Sequence, residues 1–236
     1  MVDETVLSTP RGRDTVLVCG LPGSGYVGKL AADHLVSLFK MKKVAEYSSE
    51  AFPPQASVMK DGTVGLPKGE LYFGKAGKRT MLVFTADAQP ASSEGEYELS
   101  DLVVAFAKRC GVKKAYAMAA YITGGFSAAP KVYGSGTSKE MLEELTANGA
   151  TLMKDGGISG MNGLLIGVGA LRGVQGACLL GETSGYVVDA GAAKAVLEML
   201  SKMVGVRVDT TKLKEKAEET QKVISQLQAM AEQSRE

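Results

Sequence analysis

Short apolar runs alternate along the chain with longer stretches in which apolar residues recur every three or four positions. Thr15-Val-Leu-Val-Cys19 is a β-rich run that stops at Gly20-Leu-Pro-Gly23, and Val27, Leu30, Ala31, Leu35, Leu38 and Phe39 then follow at helical spacing between Tyr26 and Lys40. This pattern predicts strand, turn and helix. Arg79–Phe84 predicts a second strand entering the Ala86–Gly95 loop, Tyr97–Cys110 an amphipathic helix and Lys114–Ala120 a third strand. A strand–helix–strand unit of this spacing implies parallel pairing. Ser138 caps a helix that ends near Asn148-Gly149, and Met161–Leu171, Gly176–Leu180 and Ala192–Val204 read as helix, strand and helix. The alternation predicts an α/β fold: a mostly parallel or mixed sheet covered on both faces, a three-layer α/β/α sandwich.

Other segments are less regular. Met1–Arg13 is polar. From Val44 to Phe73, Pro53-Pro54, Asp61-Gly62 and Pro67-Lys-Gly69 punctuate short runs and predict hairpins. Gly124-Gly125 and Gly134-Ser-Gly136 mark a glycine-rich loop, and Gly160, Gly163 and Gly167 give the Met161–Leu171 helix a small-residue face for tight packing. In the last segment Leu213, Ala217, Thr220, Ile224, Leu227 and Ala231 alternate four- and three-residue spacings, a heptad seam. Such a stripe packs on its parent domain or on a partner, and these six residues are the candidate partner-binding set. The expected organisation is a sandwich domain over 14–209 and a C-terminal helical extension over 210–236.

Composition narrows the function. The 27 Lys and Arg nearly balance the 26 Asp and Glu, so no net field draws the chain to nucleic acid or an anionic membrane. Cys19, Cys110 and Cys178 are odd in number and sit in apolar stretches, which fits reduced thiols and a cytoplasmic protein. The apolar stretch Ile158–Leu171 is interrupted by glycines and falls short of the ~20 residues a bilayer span needs. No signal peptide is visible in the polar start.

Candidate chemistry is sparse. Gly23-Ser-Gly25-Tyr-Val-Gly28 satisfies a dinucleotide fingerprint, and with Lys29 most of a phosphate loop. Leu30, however, occupies the position where a phosphate loop needs a hydroxyl for Mg²⁺. Glu46 lies near the distance of a ribose-binding acid, leaving two readings: a nucleotide site, or glycines that let a helix start pack on strand ends. His34, the single histidine, falls on the apolar side of its helix and has no second histidine or cysteine pair with which to build a zinc site. Glu94, Glu96 and Glu98, with Asp87, read as an acidic helix start or as a carboxylate cluster at the sheet edge. Asp155 and Asp189 read as turn and cap residues. No catalytic, cofactor or metal residue is assigned.

Several blocks in sequence order carry more. Gly20-Leu-Pro-Gly-Ser-Gly-Tyr-Val-Gly28, Gln89-Pro90 with Glu96-Tyr-Glu-Leu99, Tyr133-Gly134, Ile158-Ser-Gly-Met-Asn-Gly-Leu-Leu165 and Leu179-Leu-Gly-Glu-Thr-Ser-Gly-Tyr186 resemble the proteasome assembly chaperone type 2 family over about Val16–Asp209. The resemblance implies a phosphorylase/hydrolase-like sandwich without an established catalytic set. It also implies an ATP-independent assembly chaperone or scaffold, self-association as a homo-oligomer, and protein clients such as proteasome subunits. The alternative is a nucleoside- or nucleotide-handling enzyme of the same fold. Chaperones of this group dock on the proteasome α-ring through a C-terminal hydrophobic–Tyr–any residue tail, whereas this sequence ends Gln233-Ser-Arg-Glu236.

Overall fold

The computed structural model describes residues 1–58 and 61–233, with side chains described as far as Lys222. The first half of the chain runs β1 (Val2–Val6), β2 (Val16–Gly20), α1 (Val27–Leu38), β3 (Lys42–Ser49), β4 (Ser57–Val58), β5 (Val64–Gly65), β6 (Gly69–Ala76), β7 (Arg79–Ala86) and α2 (Ser93–Arg109). The second half runs β8 (Lys114–Ile122), β9 (Val132–Gly136), α3 (Lys139–Ala147), β10 (Thr151–Leu152), α4 (Met161–Leu171), β11 (Gln175–Thr183), α5 (Ala190–Val204) and α6 (Thr211–Gln233).

Nine strands form one mixed sheet in the order β1-β3-β6-β7-β2-β8-β11-β9-β10, and β4 and β5 form a separate hairpin. β7, β2, β8 and β11 are parallel, as the strand–helix–strand spacing requires. The order divides cleanly. The five strands on one side of the β2–β8 seam come from residues 2–86, and the four on the other side come from residues 114–183.

Alternation along β2 shows the layers. Leu17 and Cys19 join the buried cluster that includes Leu99 and Val103 of α2 and Leu165 of α4. Val16 and Val18 face the cluster holding Ala31 and Leu35 of α1, Met141 of α3 and Val196 of α5. Helices therefore cover both faces of the sheet, the expected sandwich. Local signals set the helix ends: Ser92 and Ser138 accept the backbone N–H groups of Gly95 and Met141, and Gly205 closes α5 at φ 66°.

One strand lies where the sequence pattern showed none, and two expectations are corrected. The polar N-terminus contains β1, an edge strand before residue 14 that pairs antiparallel with β3. Glu4 anchors it, accepting from the Tyr47 hydroxyl at 3.0 Å and from Arg109 at 2.9 Å. The glycine-rich stretch around Gly134-Ser-Gly136 is strand β9, where a Cβ on Gly134 would come within 2.8 Å of Leu145 and one on Gly136 within 2.9 Å of Met141. These glycines seat α3 on the strand. On α4, Gly163 packs against Ile158, but Gly167 is exposed with nothing near it, so the small-residue face is shorter than predicted.

Candidate functional site

The glycine loop is shaped by packing. A Cβ on Gly20 would lie 2.1 Å from the Gly28 carbonyl oxygen, and one on Gly28 would lie 2.1 Å from that of Met118. Both glycines bring α1 directly onto the strand ends. Lys29 turns from the loop to Asp33 at 2.8 Å and Thr85 at 3.2 Å, away from the place a phosphate would occupy. Glu46 is on β3, with β6 and β7 between it and β2, roughly 14 Å away at the usual strand spacing. There it accepts hydrogen bonds from Lys68 and Lys43, which hold its carboxyl below the ordinary range. The dinucleotide geometry is absent at this acid.

Beneath the loop lies a crevice of about 490 Å³ at the carboxyl ends of β2, β8 and β11. Gln89 braces it: its Nε2 donates to the Pro22 carbonyl at 2.6 Å, and its Oε1 accepts from the Met161 N–H at 2.8 Å. Asn162 is 5% exposed, and its Oδ1 accepts from the Leu21 N–H at 3.3 Å and the Cys19 thiol at 3.8 Å. Because only an oxygen accepts the Leu21 N–H, the amide orientation is fixed and Nδ2 is the free prong. Glu96 of α2 is half-buried in the wall, and burial raises its carboxyl above the ordinary range. Burial likewise pushes the Cys178 thiol up to about 12 and raises Cys19, with the neighbouring Cys178 adding to the effect. Neither is an activated thiolate.

The surface beside the crevice carries exposed apolar side chains. Asp189 ties the segment after β2 to the segment after β11, donating its N–H to the Gly25 carbonyl at 2.8 Å, accepting from the Thr183 hydroxyl at 2.7 Å and capping α5 through the Ala192 N–H at 2.9 Å. Tyr26, before α1, is 49% exposed, Ile122, at the end of β8, 59%, and Tyr186, after β11, 81%. Soluble surfaces seldom group large apolar side chains in this way without a partner.

The remaining candidates have structural settings. His34 is half-buried, and its Nε2 lies 2.6 Å from the Asp209 carbonyl oxygen; since a carbonyl only accepts, Nε2 carries the proton. It ties α1 to the entry of α6. Glu94 is exposed in the first turn of α2, and Asp87 accepts the Lys68 N–H at 3.2 Å. Among the described residues no group of at least three His, Cys, Asp or Glu gathers as a metal site.

Of the seam, Leu213 is 3% exposed in the α5-side core, and Ala217 packs partly against the same cluster. Ala217 and Thr220 line a groove of about 480 Å³ between α5, α6 and residues 126–130. The side chains of Ile224, Leu227 and Ala231 lie outside the described residues.

The PAC2 family model matches residues 17–228. The chain belongs to the PAC2 family. The uncharacterized protein MJ1210 of Methanocaldococcus jannaschii is 36% identical over 221 residues, covering 93% of this chain and 85% of that one. The crystal structure of Pyrococcus furiosus PbaB, described as an archaeal proteasome activator, matches with TM-score 0.89 and 34% identity over 96% of this chain and 98% of PbaB. PbaA of the same organism, described as an archaeal homolog of proteasome-assembly chaperone, matches with TM-score 0.80 and 29% identity over 99% and 94% of the two chains. The sequence blocks thus led to the family and fold that the comparisons find.

In this PAC2 chain the sequence blocks converge in space. Gly23 and Ser24 from the first block, Gln89 and Glu96 from the second, Ile158 and Asn162 from the fourth and Leu180 from the last all line the crevice. The sequence left Glu96 between an acidic helix start and a carboxylate cluster at the sheet edge, and gave Gln89 and Asn162 no role. Their block membership was the signal that marked them.

Proposed function

We propose that this chain is a non-enzymatic, ATP-independent assembly chaperone or scaffold that binds proteasome subunits and works in the cytoplasm as a homo-oligomer. The likeness to PbaB along nearly the whole of both chains carries the reading. Two features of the molecule support it. The nucleotide-like loop is committed to helix packing, and the surface around it exposes Tyr26, Ile122 and Tyr186. The extension over 210–236 supplies further contacts in this reading. Leu213 anchors α6 to the body, while Ala217, Thr220, Ile224, Leu227 and Ala231 form the stripe offered to another copy or to a client. At 1.5 Å per residue the 23-residue helix is about 35 Å long, enough to reach beyond its own domain.

The test is light scattering coupled to size exclusion, on the chain alone and mixed with purified archaeal proteasome α subunits. The reading requires an oligomer at micromolar concentration and a co-eluting complex that forms without ATP. A chain ending at Asp209 and the double variant Ile224→Asp/Leu227→Asp should weaken one or both associations. A monomer that leaves the α subunits unbound removes the proposal, and unchanged assembly in both variants removes the role of α6.

A further inference from the structure

We propose that the sheet-edge crevice binds an organic cation: an ammonium or guanidinium group on an apolar stem. This goes beyond the partner-binding reading and stands whether or not the client is a proteasome. The crevice has the size of a small-molecule site and lies at the carboxyl ends of parallel strands, where two halves of a sheet meet and ligands collect. Among the described residues its wall contains no Lys, Arg or His, and its titratable members there are Glu96 and Tyr121. Glu98 and Glu94, on the same helix as Glu96, are not part of the wall.

Glu96 accepts no hydrogen bond and pairs with no cation among the described residues, although burial already disfavours its charge. A cation in the crevice relieves that deficit; an anion adds repulsion. The start of α4 offers an anion little, because Gln89 takes the Met161 N–H and the Gly160 carbonyl takes those of Gly163 and Leu164. Asn162 adds a polar prong to the wall: its Oδ1 is committed to the Leu21 N–H, and its Nδ2 is left to solvent or to a ligand. Leu21, Ile158 and Leu180 form apolar wall for the stem, and Tyr121, stacked on Tyr133 at 3.9 Å between ring centroids, adds an aromatic side suited to guanidinium.

One chemistry has two sources, a free amine or the Lys or Arg side chain of a bound protein segment. Calorimetric titration of the full chain at low salt separates them with four probes: agmatine, acetyl-Leu-Arg-Leu-amide, its citrulline counterpart and inorganic phosphate. Saturable binding of agmatine with or without the peptide indicates a free cation, and binding of the arginine peptide alone indicates a partner side chain. In either case Glu96→Gln should weaken binding by about tenfold or more, while Glu98→Gln leaves it unchanged. Affinity should also fall as pH drops through the Glu96 carboxyl, a dependence that Glu96→Gln abolishes. The proposal is overturned if neither cation binds, if citrulline matches arginine, if folded Glu96→Gln binds as the wild type does, or if phosphate is the probe that saturates.

Discussion

Gly28 of α1 lies so close to Met118 of β8 that a methyl group on Gly28 would sit 2.1 Å from the Met118 carbonyl oxygen. Backbone on both sides leaves no flexible end to move. Gly28→Ala should therefore lower stability by about 1–3 kcal/mol or more, the range for overpacking. Gly167, exposed in α4 with open space at its Cβ position, makes the opposite case. Gly167→Ala should raise stability by about 0.5–1 kcal/mol through helix propensity. Urea unfolding of both variants tests the pair, and equal signs would contradict the packing account of the loop.

Gln89 bonds to two backbone groups from different halves of the chain, Pro22 and Met161. Gln89→Ala leaves a carbonyl and an N–H without partners and should cost about 1–3 kcal/mol if water does not replace the amide. Hydrogen exchange should quicken at Met161 and around Leu21. Unchanged protection at both places would show that the brace is dispensable.

Glu46 gives a pH-dependent prediction. Hydrogen bonds from Lys68 and Lys43 depress its folded-state pKa, so its contribution is present above the unfolded carboxylate range and is lost as pH falls through the folded value. Glu46→Gln should destabilise the chain at neutral pH and matter less under acid conditions. Denaturation curves that shift equally at both pH values would rule out the linkage.

Leu213 sits at 3% exposure at the foot of α6. Leu213→Ala should cost about 2–5 kcal/mol, the usual penalty for a truncated core leucine, or less if α6 settles into the gap. Lys214→Ala, one residue on and solvent-exposed, should fall within about 0.5 kcal/mol of the parent. Thermal unfolding distinguishes a helix anchored by this residue from one that merely lies alongside.

Strong apolar periodicity made β2, α1, β7, α2, β8, α4, β11 and α5 legible, because their core faces are written in Val, Leu, Ile and Ala. β1 was hidden because Asp3, Glu4 and Thr5 make it polar, and its value comes from a distant Tyr47–Glu4–Arg109 cluster. β9 was hidden for a different reason: glycine suggests a turn locally, while here its missing Cβ leaves room for Leu145 and Met141. The crevice was less legible still. Glu96 and Asn162 are 66 positions apart in the numbering and meet only when α2 and α4 cover the same sheet face.

The seam between β2 and β8 also fixes an order of events during synthesis. A ribosome that has released residues 2–86 has already supplied five adjacent strands of the sheet, from β1 through β2, while β8 and the three strands beyond it are still to come. That early half leaves β2 with a bare parallel edge until β8 arrives, so the nascent chain carries an unpaired strand through the middle of its own translation. Glu96 is made before that edge is closed and Asn162 well after it. The crevice therefore exists only once β8, α4 and β11 have joined the sheet.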